Sequence, residues 1–179
     1  MSAGRPMRQA EREITDPGSL ERILHEAKVL FLALRDFPAP YVLPVCFGHD
    51  PANPPGTAAH GNPPGTAARG TLYVHCAPTG AKIDLLRADP AVGFSACTDM
   101  TVRPGAAACD FSCRSESVVG TGRARVVETE EERIRGLDAI MRHYAEAQVS
   151  AAPVYRPGSL SRTSVIAVDI DSLRGKRIG

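Results

Sequence analysis

The sequence contains no tryptophan, and aromatic residues make up only 5% of its 179 residues. Proteins that bind single-stranded nucleic acid usually stack its bases on several aromatic side chains, so this composition argues against that class. An excess of charge of one sign is also lacking, because the formal net charge is +1. Neither a nucleic acid nor a membrane surface is therefore expected as a partner.

Long apolar runs are missing as well. No stretch approaches the roughly 20 apolar residues of a membrane-spanning helix, and residues 1–13 are polar and basic, unlike a secretion signal. The 5 cysteines are scattered along the chain, which is typical of reduced thiols in a cytoplasmic protein. Cys109 and Cys113 could form half of a metal site, but no second pair with zinc-like spacing accompanies them, so no metal is expected.

The order of helical and strand patterns predicts the fold class. Asp16-Pro17 is typical of a helix start, and Leu20, Ile23, Leu24 and Ala27 give that helix an apolar face. Strands are predicted at 29–34, 41–47, 71–76, 91–98, 117–127 and 163–170, and a long helix follows Thr129. Because strands mostly succeed one another, a doubly wound parallel sheet is disfavoured. We predict a mainly β fold with α (α+β), an antiparallel barrel of about six strands with peripheral helices.

A direct repeat interrupts this order. The segment NPPGTAAHG is followed at once by NPPGTAARG, over residues 53–70. Its Pro, Gly, Ala, Thr and Asn residues cannot bury a core face, so we interpret it as a duplication that lengthened a hairpin loop. The predicted organisation is a flexible tail over 1–12 and a single domain over 13–179, with a loop insertion at about 51–70.

One corner of the chain indicates a phosphate site. In LYVHCAPTGAKIDLLRADP, from Leu72 to Pro90, a strand leads through a turn into a short helix. A helix start attracts anions, Gly80 lets a ligand approach the backbone, and Thr79 can cap the helix or donate to a phosphate. Lys82 has the wrong charge for this position unless an anion compensates it. The alternative is a solvated lysine on a short helix. The spacing of Gly80 and Lys82 does not match a P-loop, and no Rossmann fingerprint is found.

Two further features restrict the strands. A proline cannot donate to a sheet, so Pro44 is expected at an edge, a bulge or a ligand-facing stretch. Gly120 and Gly122 lie inside a predicted strand, where glycines usually mark a bulge or a close backbone approach.

Several segments taken together resemble the pyridoxamine 5'-phosphate oxidase-like, FMN-binding split barrels. The resemblance is nearest to the branch that includes the nitroimidazole-resistance (Nim) proteins, and it covers most of Glu13 to Arg177. The segments, in chain order, are EITDPGSLERILHEAKVLFLAL, PYVLPVCFGHD, LYVHCAPTGAKIDLLRADPAVGF, ACDFSCRSESVVGTGRARVVE, LDAIMRHY and SVIAVDIDSLRGKR. The resemblance implies a split β-barrel and a homodimer with FMN at the subunit interface.

The resemblance also assigns roles to residues of this chain. Thr79, Gly80, Ala81 and Lys82 would meet the FMN phosphate, and His75, Cys76 and Ala77 would line the flavin or its ribityl chain. Leu43, Pro44 and Val45 would pass beside the flavin ring. Arg114, Ser115 and Ser117 would reach the flavin, with the other subunit as one possible source. The duplicated loop has no counterpart in the family.

The implied chemistry is the reduction of a small molecule by an FMN-dependent oxidoreductase, with a nitro compound as one candidate substrate. His75 is the candidate proton donor, because imidazole changes charge near neutral pH; the alternative is a packing role beside the ring. Cys76 is interpreted as a small filler rather than a redox thiol. Oxidation of pyridoxamine phosphate itself is disfavoured, because the extra basic residues and C-terminal motif for that substrate are not found. The alternatives are a flavin-binding protein without turnover, for storage or redox sensing, and a haem-binding split barrel.

Overall fold

The computed structural model describes residues 7–51, 70–145 and 153–179. The duplicated segment up to Arg69 and the first half of the predicted tail lie outside these ranges, so the predicted division of the chain remains a prediction. Residues Ala10–Arg12 form one 3-10 turn before the first strand. The strands are β1 (Glu13–Ile14), β2 (Leu30–Leu34), β3 (Tyr41–Val45), β4 (Gly48–Asp50), β5 (Thr71–Cys76), β6 (Ala91–Cys97), β7 (Thr101–Arg103), β8 (Ser112–Val126) and β9 (Ser164–Ile178). The helices are α1 (Pro17–Glu26), α2 (Ala81–Ala88), α3 (Glu130–Ala145) and α4 (Pro157–Leu160).

All described strands belong to an antiparallel arrangement that curls into a split barrel. The order across the sheet is β3-β2-β6-β8-β9-β5-β4, with β1 added to β9 and β7 added to β8. β3 and β4 stand at opposite ends of this path, yet only Cys46 and Phe47 separate them in the chain. The sheet therefore bends round until its two ends meet along one chain segment without pairing. The predicted mainly β split barrel with peripheral helices is confirmed, although the structure divides it into more strands than six.

The barrel interior holds the main core. Alternate residues of β2, β5 and β9 point inward, and α1 covers one end with the apolar face that its spacing predicts. Asp16 caps α1 by accepting a 2.8 Å hydrogen bond from the Ser19 N–H. The buried side chains here include Leu20, Ile23, Leu24, Leu30, Leu32, Leu34, Leu72, Val74, Ile166 and Val168. A second, smaller core lies between the outside of β5 and β9 and helix α3.

Helix α3 buries a different face from the one its large apolar residues predict. Ile134, Leu137, Met141 and Tyr144 form the predicted stripe, whereas the buried residues are Gly136, Ala139, Ile140 and His143. The cause is close approach through small residues. A Cβ at Gly136 would lie 2.7 Å from the Tyr73 ring, and one at Gly48 of β4 would lie 2.3 Å from the Ala139 carbonyl carbon.

Three other features of the structure can be compared with the sequence analysis. The segment between the predicted strands 91–98 and 117–127 is more than a connecting loop, because it contains β7, which pairs with the start of β8. The two strand glycines behave as predicted: Gly120 lies against the Phe94 ring, and the register of β8 with β9 shifts between Thr121 and Gly122. Within the described ranges, no helix is both long and apolar enough to cross a membrane.

Candidate functional site

The corner between β5 and α2 has the open backbone that an anion site needs. Gly80 is the N-cap of α2 at φ 124°, a conformation that favours glycine, and a Cβ built there would meet nothing within 4 Å. Its carbonyl accepts from the N–H groups of Ile83 (2.8 Å) and Asp84 (3.2 Å). The first N–H groups of a helix, here those of Ala81 and Lys82, point out of its start. No side chain caps this helix, so the capping role considered for Thr79 is wrong.

Lys82 is half-buried beside this helix start. Among the described residues it forms no salt bridge. Burial raises the pKa of the Cys76 thiol, and the positive charge of Lys82 acts on that thiol in the opposite direction. Lys82 therefore lies close to Cys76, and Cys76 packs against the barrel core as a neutral thiol. This placement agrees with Cys76 as a small filler.

β3 lies at the edge of the sheet and leads directly toward the corner. Pro44 pairs with Phe31 of β2 only, so its missing N–H costs no ladder bond on the outer side, as the edge prediction requires. Leu43 and Val45 pack partly into the core. An edge strand leaves alternate N–H and C=O groups free for a ligand. Continuing the register Gly48↔Tyr73 by two residues sets Cys46 opposite His75.

The residues around the corner are accessible. His75 is exposed near the end of β5, and Ala77, Thr79 and Ala81 are exposed after it. The structure therefore places the exposed imidazole, the open backbone and the half-buried lysine on one short chain segment. Such an arrangement can hold an anionic group and present a proton donor next to it.

Arg114, Ser115 and Ser117 lie at the other end of β8. Val126, near the corner, pairs with Ile166, whose neighbour Val165 pairs with His75. Ser117 is nine residues earlier on the same strand, which corresponds to roughly 25–30 Å. One copy of the chain therefore does not bring these residues to the corner.

Alternation along β8 separates these residues further. Ser115 and Ser117 share the face of Val119, whereas Arg114 and Glu116 point to the opposite face. Glu116 accepts a 2.7 Å hydrogen bond from Arg177 Nε and another from Arg22. These two guanidinium groups, that of Arg22 first, lower the pKa of the Glu116 carboxyl. Glu116 thus ties β8 to β9 and α1.

The structure shows an exposed apolar surface on the barrel that the sequence analysis does not predict. We call it the outer face and define it by Phe31, Val42, Pro44, Ser95 and Val119. Pro44, Phe31, Ser95 and Val119 form one row across four strands. Phe31 is 45% exposed, Val42 56% and Val119 46%. Exposed apolar patches of this kind mark interaction sites. The only available signal was the uninterrupted apolar run of β2, which is typical of a strand covered on both faces.

The chain is similar to known proteins both in sequence and in fold. The family model for pyridoxamine 5'-phosphate oxidase matches residues 16–177. A candidate 5-nitroimidazole antibiotic resistance protein from Bacteroides thetaiotaomicron is 28% identical, with a TM-score of 0.70, over 93% of this chain and 87% of that chain. No curated protein matches the chain.

Two more distant solved structures share the fold. A flavocytochrome from Azotobacter vinelandii is 15% identical, with a TM-score of 0.72, over 99% of this chain and 74% of that chain. An FAD- and haem-binding protein from Mycobacterium smegmatis is 17% identical, with a TM-score of 0.70, over 93% of this chain and 73% of that chain.

Proposed function

The chain belongs to the pyridoxamine 5'-phosphate oxidase family, and from that membership we propose that it is an FMN-binding flavoprotein that reduces a small molecule. The observation that carries the proposal is the corner at Gly80–Lys82. An open backbone at positive φ, a helix start and a lysine without a salt bridge among the described residues form a cradle for one phosphate group. A Cβ at position 80 would occupy part of this cradle.

A flavin mononucleotide suits the corner better than a larger flavin. One lysine and one helix start match one phosphate group, whereas FAD would bring a diphosphate and an adenosine. Thr79 Oγ1 and the N–H groups of Ala81 and Lys82 would hold the phosphate. His75, Cys76 and Ala77 would contact the flavin and its ribityl chain, and the free edge of β3 from Leu43 to Val45 would hydrogen-bond the ring.

A second copy of the chain would complete the site. Arg114, Ser115 and Ser117 are too far from the corner of their own chain to take part in it, so a flavin that contacts them must lie between two copies. The outer face supports this homodimer, because it exposes apolar side chains next to β3. Ser117 and Val119 share that face, which would bring the serine to the interface.

A bound flavin would supply the electron transfer, and the protein would supply position and protons. His75 is exposed at the corner and has the side chain most suited to donating a proton to a bound substrate. The similarity to the candidate nitroimidazole resistance protein supports a nitro compound as substrate. A storage or redox-sensing protein would share every contact except this proton donor.

Lys82→Ala tests the phosphate contact. The protein is purified without added cofactor, its absorbance is recorded, and the chromophore released by denaturation is identified. We expect FMN from the starting protein and at least about 10-fold weaker FMN affinity in Lys82→Ala, since a hydrogen bond to a charged group contributes about 1.5–3 kcal/mol. Lys28→Ala, which removes an exposed lysine of equal charge, should retain FMN.

Other chromophores would give different answers. A Soret band in place of a flavin spectrum would establish the haem-binding alternative, which the two distant relatives make worth testing. Released FAD would reject the single-phosphate argument. Equal FMN affinity in Lys82→Ala and the starting protein would reject Lys82 as the phosphate anchor.

His75→Gln tests the enzymatic part. The FMN-loaded protein is reduced anaerobically with dithionite, a nitroaromatic compound is added, and the return of the oxidised flavin spectrum is timed. Loss of a proton donor should slow this step by about 10²-fold, with FMN content unchanged. A starting protein that nitroaromatics do not reoxidise would favour flavin storage or sensing, and an unchanged rate in His75→Gln would leave His75 with a packing role.

A further inference from the structure

A second cleft, separate from the flavin corner and the outer face, lies between α1, α3 and β4. Its volume is about 490 Å³, and its charged and titratable lining residues are Glu21, Arg22, His25, His49, Arg142 and His143. Three of the five histidines of the chain therefore line one cleft. None of these residues has a role in the proposed flavin site.

The lining is built from one stripe on each helix. On α1, Gly18, Glu21, Arg22 and His25 follow the i, i+3, i+4, i+7 spacing of a single helix face, next to the buried apolar face. On α3, Ala139, Arg142 and His143 repeat that spacing over one turn. β4 holds His49 between the helices, because Gly48 sits directly on the α3 backbone at Ala139.

The three imidazoles lie close enough to act on one another. The rings of His25 and His143 are 6.0 Å apart in an edge-to-face arrangement. His143 Nε2 donates a 2.8 Å hydrogen bond to the Ala27 carbonyl. Its pKa is lowered chiefly by burial, and the positive charges of Lys28, His25 and His49 lower it further. A bound anion would stabilise the charged forms of such groups, which otherwise repel one another.

The charges in the cleft also suit an anion. Arg22 is compensated by Glu26 and Glu116, whereas Arg142 forms no salt bridge within the described part of the chain. Glu21 is the one acid in the lining. Among the described residues, no three His, Cys, Asp or Glu side chains are arranged to hold a metal ion. The Arg142 guanidinium and the His25 ring offer N–H donors, which are typical ligands of oxyanions.

We propose that this cleft binds a doubly charged oxyanion of the phosphate class, with Arg142 as its principal cation and His25 as a further donor. The cleft is large enough for the anion to be part of a small phosphorylated molecule. The proposal does not depend on flavin binding.

Sulfate is the probe, because its charge stays constant across neutral pH. Its affinity is measured by calorimetry at about 0.15 M ionic strength, where the Debye length is about 8 Å, on protein carrying Lys82→Ala so that the flavin corner does not contribute. Adding Arg142→Gln or His25→Gln should weaken sulfate binding by about 5–10-fold each. Arg135→Gln removes the same charge two turns away on α3, where Arg135 pairs with Glu131, and should change the affinity less than about 2-fold.

Histidine ring signals in the NMR spectrum give an independent reading, and sulfate should shift the signal that is lost in His25→Gln. No sulfate binding, equal losses in Arg142→Gln and Arg135→Gln, or unmoved histidine signals would each overturn the proposal.

Discussion

At the scale of single residues, His143 shows how a polar side chain can hold two elements together. Its sequence neighbours Arg142 and Tyr144 do not mark it as a core residue, yet only 9% of the residue is exposed. Its Nε2–H donates to the Ala27 carbonyl at the end of α1, and its ring packs against Phe47 at 4.6 Å between centroids. A buried imidazole with one carbonyl acceptor is most stable when neutral. His143 therefore joins α3 to the junction of α1 and β2 as an uncharged donor.

This arrangement predicts a stability that depends on pH. Burial, the largest cause, lowers the folded-state pKa of His143 below its ordinary value of 6.5. The unfolded state therefore binds a proton first as the pH falls. The contribution of His143 to the free energy of unfolding is therefore complete above pH 6.5. It declines as the pH falls from there to the folded-state pKa.

Chemical denaturation at several pH values between 6.5 and about 5 measures this decline. That window lies above the ordinary value of 4.5 for glutamate, so the carboxylates of Glu116 and Glu132 contribute little to it. His143→Leu should be less stable at pH 7 by about 1–3 kcal/mol, because the Ala27 carbonyl loses its donor, but its stability should depend less on pH. Equal slopes in the two proteins would contradict the assignment.

At the scale of elements, the sequence predicts those whose signals are local. The start of α1 has a capping aspartate and a proline, its apolar residues repeat with helical spacing, and the structure confirms both. β5 and the turn into α2 are predicted with their bounds nearly correct. The open backbone at Gly80 also follows from the sequence, since a glycine before a helix start is a local feature.

Elements that depend on distant partners are predicted less well. β8 and β9 each extend beyond the prediction through polar residues, which become strand only because the two strands pair along their length. Arg174 on the extension of β9 binds Glu13 of β1 at 2.6 Å, an interaction between residues far apart in sequence. The face of α3 is misjudged because Gly136 and Ala139 carry no hydrophobic signal, although their small size allows the helix to approach Tyr73.

The candidate site divides along the same line. The corner from His75 to Lys82 is a single segment, so its residues are placed together by the chain itself. Arg114, Ser115 and Ser117 lie at the start of β8, whereas the corner lies near its end, and this is why they are far apart. Periodicity cannot supply that information, because it depends on the antiparallel order of β8, β9 and β5.

At the scale of the whole molecule, two features predict the same homodimer. One is the outer face, and the other is the distance of Arg114, Ser115 and Ser117 from the corner. A second copy that covers Phe31, Val42 and Val119 would remove exposed apolar area from water. It would also be the only source of Arg114, Ser115 and Ser117 for the flavin. Loss of the dimer should therefore weaken flavin binding without any change at Lys82.

Val119→Asp tests this link. A carboxylate at the centre of the outer face would have to be desolvated in the dimer, at a cost of several kcal/mol. Sedimentation should show a monomer, and FMN affinity should fall by more than about 10-fold. Val154→Asp, at a valine that is 92% exposed, is the matched control and should leave mass and FMN binding unchanged. A monomeric variant that retains FMN fully would show that one copy holds the flavin alone.

The position of β9 in the sheet also determines when this protein can fold. β9 is the strand that joins β8, β5 and β1, and Thr71 of β5 reaches its partner Asp169 only across 98 positions of sequence. On the ribosome, β2, β3, β6 and β8 can form their antiparallel pairs as they emerge, but β5 must wait for β9 before it gains a neighbour on that side. We therefore expect the nascent chain to expose unpaired strand edges until β9 has been synthesised.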